Sequence, residues 1–394
     1  MSQLLKAYSS AMARKILFGM GVAGRTGEEA KTIGATKALF VTDHTVVGMG
    51  LLGKVTRSLE DQSISYEIWA EAESEPSVEN AQAAVDKVRE GSFDLLVGIG
   101  GGSALDVTKT AAIVAKQRGN VREYLGVTLP KPEIPFILIP TTAGTGSEVS
   151  NGAVLAVVEE AFKYVIYSPL MYPEVAIVDP EMSSTMPPGL TAHTGVDALT
   201  HAIEAYVSRQ ASPFTDIFAV EAIKLVNEHL RTAYTNGENM EARYGMAKAS
   251  LFAGLAFGNA GTVLGHAAGY AHAHIHHLPH GSSVAVTEPY VLEYNAFADM
   301  EKHASVAWLL GEDVSGLPKR DAALRAAVAF RKLLRDLNMP TSLKEVGVER
   351  EQMPEIVDRV FKSRAHVARN PRKITKEDMV RLFEKAYEGI LASD

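Results

Sequence analysis

The feature that most constrains this chain is a change of period along it. From about Lys15 to Pro180, short β-branched runs alternate with helical stretches; beyond Pro187-Pro188 the alternation stops and long amphipathic runs take over. ATKALFVTD, ISYEIWAE and FDLLVGIGGG read as strands, with VVGMGLLGKVTRSLED, SVENAQAAVDKVREG and SALDVTKTAAIVAKQ as helices between and after them. Strands separated by helices pair in parallel, because a parallel pair needs a long crossover. FILIPTTAG, VLAVVEEAFKYVIYS and EVAIVD supply further strands, and LTAHTGVDALTHAIEAYVSR, FTDIFAVEAIKLVNEHLRTAY and EARYGMAKASLFAGLAFGN make the second half almost entirely helical. A chain of 394 residues exceeds what one core usually organises. The expectation is an α/β domain over residues 1–188 followed by an all-α domain over 189–394, with no repeat or low-complexity tract.

Charge and cysteine content narrow the chemistry. A net charge of -8 offers no basic surface to a phosphate backbone or an anionic membrane, so neither nucleic acid nor membrane is an expected partner. The absence of cysteine excludes disulfides, thiolate nucleophiles, iron–sulfur clusters and cysteine-bound zinc, so any metal must be held by nitrogen and oxygen. The opening MSQLLKAYSSAMARK has a transit-peptide texture, with no acidic residue before Glu28, but KILFGMGVAG continues as a strand and turn of the fold. No run is long and apolar enough for a membrane span or a signal peptide, and a soluble cytoplasmic protein handling small molecules is expected.

Two loops resemble cofactor loops in their chemistry. Gly98-Ile99-Gly100-Gly101-Gly102-Ser103 follows the apolar strand and opens a helix, where bare backbone N–H groups and the helix N-terminus favour a phosphate; Ser103 could cap that helix and donate to a phosphate oxygen. The same glycines would equally serve a tight turn without ligand. IPTTAGTGSEVS sets Thr141, Thr142, Thr145 and Ser147 just past another strand, where hydroxyls line a crevice. Asp43 ends the strand KALFVTD, from which a carboxylate can accept both ribose hydroxyls and repel a 2′-phosphate, favouring NAD over NADP; it could instead cap the turn DHT.

Histidine and aspartate point to a cation. Asp197 and His201 are four residues apart in GVDALTHAIEAY, one turn apart on one helical face among apolar neighbours, where a carboxylate facing inward needs a partner. GHAAGYAHAHIHHLPHG holds His266, His272, His274, His276, His277 and His280, half of the chain's 12 histidines. His266 and Tyr270 share a helical face, and His280 is released from it by Leu278-Pro279. A solvated polar tract is the competing reading, and spacing alone does not choose the ligands.

At these residues the chain resembles the iron-containing (group III) alcohol dehydrogenases, of the dehydroquinate synthase-like fold. The likeness runs through VTD at 41–43, GGGSALDVTK at 100–109, IPTTAGTGSEVS at 139–150, MPP at 186–188, TGVDALTHAIEAY at 194–206, GHAAGY at 265–270, PHG at 279–281 and NPRKIT at 370–375. It implies a dinucleotide-binding α/β domain, a helical domain, and an active site in the cleft between them. It further implies metal ligands at Asp197, His201, His266 and His280, and NAD(H) contacts at Asp43, Gly101, Gly102, Ser103, Asp106, Thr141, Thr142, Thr145 and Lys163. Many relatives carry a proton-relaying histidine where this chain has Tyr270; Tyr270 or His274 then becomes the relay candidate, and His366 and His193 become candidates for the substrate pocket, suiting a polar or anionic aldehyde.

The resulting expectation is an NAD-dependent alcohol dehydrogenase or aldehyde reductase, with a small-molecule alcohol or aldehyde as partner and assembly as a homodimer or larger homo-oligomer. A nitrogen–oxygen donor set suits Fe(II), Zn(II), Mn(II) or Ni(II), and the resemblance favours Fe(II). The alternatives are a metal- and NAD-dependent lyase of the dehydroquinate synthase type, which would need basic residues that are sparse between Asp197 and His280, and a non-catalytic nucleotide- or metal-binding scaffold.

Overall fold

The computed structural model describes residues 7–127, 133–160, 162–168, 171–276 and 278–392, without the side chains of 274–276. Strands β1 (Lys15–Phe18), β2 (Lys37–Val41), β3 (Ser65–Trp69), β4 (Leu95–Gly100), β5 (Phe136–Pro140) and β8 (Val175–Val178) form one sheet in the order β1-β8-β5-β4-β2-β3. Every pair in it is parallel, from Lys15↔Val175 through Val97↔Ile137 and Phe40↔Val97 to Phe40↔Ile68. The apolar runs of β4 and β5 are buried along their whole length because helices cover both faces, as parallel sheets require. The turn after β1 returns directly to the sheet, with Gly21 and Ala23 N–H groups donating to the Asp179 carboxylate just beyond β8.

The stretch VLAVVEEAFKYVIYS departs from this sheet. It forms a separate antiparallel ribbon of β6 (Gly152–Val157) and β7 (Phe162–Tyr167). Burial along β6 alternates with period two, so Ala153, Leu155 and Val157 pack inward while Gly152, Val154 and Ala156 stand on the other face. Cross-strand register puts Tyr167, Val165 and Lys163 beside those three, which gives the ribbon one continuous open face. A strand buried on one face only can hang off the main sheet and serve as a wall.

Past β8 the chain is helical, beginning with a long helix at Pro188–Val207 and continuing through Pro213–Thr235, Met240–Ala260, Leu264–His276 and His280–Ala285. Pro at the first turn and a Ser212–Thr215 capping box start the second of these cleanly. Small residues such as Ala198, Ala202, Ala222, Ala249 and Ala253 let the helices approach closely around a core that also contains Leu199, Ile223 and Leu230. Arg243, almost wholly buried, donates to Met186 O at 2.7 Å, to Thr191 Oγ1 at 2.8 Å and to Gly237 O at 2.8 Å. Those bonds satisfy a buried guanidinium and fasten the segment joining the two halves. Among the described residues, no helix is long and apolar enough to cross a membrane.

Candidate metal centre and cofactor cleft

Asp197 and His201 project from one face of the 188–207 helix and are both buried. His266 stands in the first turn of the 264–276 helix, and His280 is the first residue of the 280–285 helix, turned back by Pro279. One ligand atom from each lies within 4.8 Å of the others. The Nε2 atoms of His266 and His280 are 3.8 and 3.5 Å from Asp197 Oδ1, and His201 Nδ1 is 3.8 Å from Oδ2. Asp197 Oδ1, His201 Nδ1 and His266 Nε2 are buried and have no hydrogen-bond partner among the described residues. Three orphaned polar atoms facing one point would be costly in a core, and a divalent cation shared by them removes that cost. The donor set of three imidazoles and one carboxylate fits such an ion.

Without an ion, the four groups divide in their protonation. Burial pushes the Asp197 carboxyl up to about 7, with His266 acting against the rise and Glu204 adding to it. Burial also drives His201 and His280 well below the ordinary imidazole value, leaving them neutral with lone pairs available. For His266 burial acts downward, but the carboxylates of Glu204 and Asp197 outweigh it and the net shift is upward.

Glu204 was not singled out by the motifs, yet it organises the centre. It is fully buried: Oε1 accepts from Gly265 N at 2.5 Å and His266 N at 3.2 Å, while Oε2 accepts from Val263 N at 2.9 Å and lies 2.6 Å from His266 Nδ1. Capping the next helix and taking the Nδ1 proton together leave Nε2 free to face the cation. A sequence signal existed: Asp197, His201 and Glu204 share the i, i+4, i+7 stripe of one helix. Phe257 stacks on the His201 ring at 4.3 Å and 20° and fixes its plane.

From this centre a cavity of about 590 Å³ runs between the halves to the C-terminal ends of the strands. Glu75, Gly102, Ser103, Asp106, Thr145 and Lys163 line it from the first half of the chain, and Asp197, His201, His266, Tyr270, His280 and His366 from the second. The loops after β2, β4 and β5, which are neighbours in the sheet, all leave at this edge, the expected place for a ligand in an open α/β sheet. Gly102 is pressed against Thr145: a Cβ there would come within 2.8 Å of Thr145 Cγ2. Thr142 Oγ1 is buried without a partner among the described residues, and Thr141 N–H bonds Gly100 O at 2.9 Å, joining the two loops.

Several expected side chains are engaged in ways the sequence did not disclose. Ser103 does not cap its helix: the cap position is Gly101, and the Ser103 hydroxyl accepts from Glu75 N at 3.1 Å. Asp43 caps the following turn, its Oδ1 accepting from Val46 N at 2.9 Å, while Oδ2 lies beside Gly100. Asp106 is held by Ser147 Oγ at 2.5 Å and Val154 N at 2.8 Å, which ties the Gly-rich helix to the second loop and to the ribbon. Lys163 pairs with Glu75 at 2.7 Å across the cavity rim.

The remaining histidines divide. His193 does not line the cavity; its Nδ1 meets Ser282 Oγ at 2.6 Å, because its place on the 188–207 helix turns it toward the loop that carries His280. His272 points its Nε2 to Ser283 O at 2.8 Å and is not among the ligands. The His274 and His276 side chains and all of His277 lie outside the described residues. Tyr270 stacks on His280 at 5.4 Å and meets His366 edge-on at 5.7 Å. Burial and then the nearby carboxylates, Asp197 first, push its hydroxyl well above the ordinary phenol value. Burial and then the positive neighbours His266 and Arg369 push His366 down to about 3.

A candidate cation site walled by helices and facing the glycine-rich crevice of a parallel sheet is the arrangement of a metal-dependent enzyme of two-domain architecture. Residues 13–180 match the iron-containing alcohol dehydrogenase family, and residues 191–387 match the C-terminal part of the Fe-containing alcohol dehydrogenase family. The sulfoacetaldehyde reductase of Bilophila wadsworthia (strain 3_1_6) is 38% identical over 379 residues, covering 95% of this chain and 98% of its own. A crystal structure of 1,3-propanediol oxidoreductase superposes with a TM-score of 0.94 at 36% identity, covering 97% of this chain and 100% of that one. Sulfoacetaldehyde reductase from Bifidobacterium kashiwanohense, solved in complex with NAD+, gives 0.86 at 30% identity, covering 97% and 99%. The chain belongs to the iron-containing alcohol dehydrogenase family. It is accordingly an oxidoreductase working between alcohols and aldehydes, and neither the lyase nor the scaffold reading is favoured.

Proposed function

We propose that this protein interconverts a small polar aldehyde and its primary alcohol with NAD(H), using a divalent ion, iron by family, held by Asp197, His201, His266 and His280. The observation that carries this reading is the convergence of four ligand atoms within 4.8 Å on a cavity that the Gly102–Thr145 cradle also lines. When bound, the ion supplies a Lewis acid for the substrate oxygen and the dinucleotide supplies or accepts the hydride. The protein's own part is positioning. The bare backbone at Gly101 and Gly102 and the hydroxyls of Thr142 and Thr145 receive the dinucleotide's phosphates, with Ser103 and Lys163 at the rim and Asp43 toward a ribose. The Asp106 carboxylate, bonded to Ser147 and Val154, keeps those walls in register. Tyr270, protonated throughout the working pH range and stacked on His280, is placed to donate to the reacting oxygen or its solvent partner.

NAD rather than NADP is supported by the Asp43 carboxylate at the end of β2 and by the NAD+ complex of the Bifidobacterium relative. The test is His280→Ala, in which His280 is the ligand with the most open face, its side chain 29% exposed. Bound metal and turnover of NADH with aldehydes should fall together; full activity in a metal-free variant would overturn the assignment.

A further inference from the structure

Five charged residues line the cavity: Glu75, Asp106, Lys163, Asp197 and Arg369. Four are accounted for. Glu75 and Lys163 pair with each other, Asp106 lies 3.2 Å from Lys109 Nζ, and Asp197 belongs to the cation centre. Arg369 alone has no opposite charge within ion-pair distance among the described residues. Its Nε donates to Gln210 Oε1 at 2.9 Å, which leaves Nη1 and Nη2 without a hydrogen-bond partner there. The group is half-buried, and burial is the force that lowers its affinity for its proton. A guanidinium never gives that proton up in practice, so a partly desolvated, unpaired cation remains.

Its placement is built into the fold. Arg369 and His366 are three residues apart on the Arg364–Arg369 helix and both reach the cavity. His366 in turn touches Tyr270, which stacks on His280, so the line of side chains runs from the cation centre to Arg369. The Arg369 side chain lies over Gly261, where a Cβ would come within 2.7 Å of its Cδ, Nε and Cζ. The residues after it anchor this end: Asn370 and Asn295 exchange amide hydrogen bonds at 2.8 Å, and Arg372 donates to Tyr294 O at 2.9 Å while lying over its ring. The neutral Asn151, Gln210 and Tyr167 line the same cavity.

We propose that Arg369 is a specificity residue that binds a single negative charge on the substrate, so that the natural substrate is a short aldehyde or alcohol carrying a sulfonate or carboxylate group. This rests on the aldehyde–alcohol reading above and names its substrate class. One unpaired guanidinium beside a neutral imidazole matches a monoanion, and its two free Nη groups present the fork that oxyanions accept.

The holoenzyme, with Arg369→Gln and Arg369→Lys, is assayed with sulfoacetaldehyde, succinic semialdehyde and butanal as the neutral control. Ethanesulfonate and propionate are tested separately as non-reacting ligands by calorimetry. The expected result is that the ratio of kcat/KM for the better anionic aldehyde to that for butanal falls by about tenfold to a hundredfold in Arg369→Gln, the loss of one charge-assisted contact. Arg369→Lys recovers part of the loss, and the matching anion binds wild type but not Arg369→Gln. Comparing the sulfonate and carboxylate arms identifies which head group is used. A wild-type enzyme that prefers butanal, or a ratio untouched by Arg369→Gln, overturns the proposal and leaves the aldehyde–alcohol reading standing. So does a rise in the KM for NADH with the ratio kept, which would assign Arg369 to the dinucleotide. Failure of wild type to turn over any of the three aldehydes, with metal bound, overturns both.

Discussion

Replacing Glu204 by Gln is the sharpest probe of how the helical half builds the cation centre. The two carboxylate oxygens face only donors: Oε1 receives Gly265 N and His266 N, and Oε2 receives Val263 N and His266 Nδ1. A glutamine of the same shape must turn its NH2 toward one pair. If it faces Gly265 and His266, buried N–H groups oppose one another, at a cost of about 1–3 kcal/mol for a donor left unpaired. If it faces Val263 and His266 Nδ1, the imidazole must accept there, so its proton moves to Nε2, the atom that should hold the metal. Removing the charge also relaxes Glu288, whose carboxyl is pushed well up by burial and then by Glu204, so part of the lost stability returns. Metal affinity is therefore the decisive quantity, and it should fall by about 10–100-fold, the usual effect of losing a ligand's orienting partner. The measurement is Fe(II) or Zn(II) titration of metal-stripped protein against a competing chelator, with urea unfolding of both forms alongside. An affinity within threefold of wild type, in a folded variant, would refute the orienting role.

Two further outcomes follow from the same geometry. Burial pushes Glu148 up to about 7, with Lys109 acting against it, so folding favours its protonated form; that contribution is present below the unfolded value of 4.5 and is lost as pH rises through about 7. Metal-loaded Glu148→Gln should thus gain stability relative to wild type across that window, by at most about 3–4 kcal/mol at ~1.4 kcal/mol per pKa unit, and a pH-independent difference in urea unfolding would count against the buried acid. Tyr270→Phe keeps the ring stacked on His280 and deletes only the hydroxyl, so metal content should hold while kcat falls by roughly tenfold or more; a kcat within threefold of wild type would reduce Tyr270 to a shaping role.

What the sequence by itself determined is what depends on local repetition and local chemistry. The period change near Pro188, the parallel sheet implied by alternating strands and helices, the nitrogen–oxygen character of any metal site and the Asp197–His201 pair were all legible, because each is written within a few turns of chain. The family likeness then chose His266 and His280 from a tract of six histidines that spacing could not sort. Tertiary structure decided everything that depends on a distant partner. His272 finds Ser283, His193 finds Ser282, and Ser103 accepts from Glu75 instead of capping its helix. The ribbon of β6 and β7 left the sheet to become a cavity wall, since alternating burial specifies one buried face but not what lies against it. Glu204 stood on the same helical stripe as two candidate ligands, yet its meaning required His266 to arrive 62 residues later. Arg369 is one arginine among many in the sequence; only the packed cavity, in which Glu75, Lys163 and Asp106 have found opposite charges and Asp197 faces the candidate cation site, makes it conspicuous.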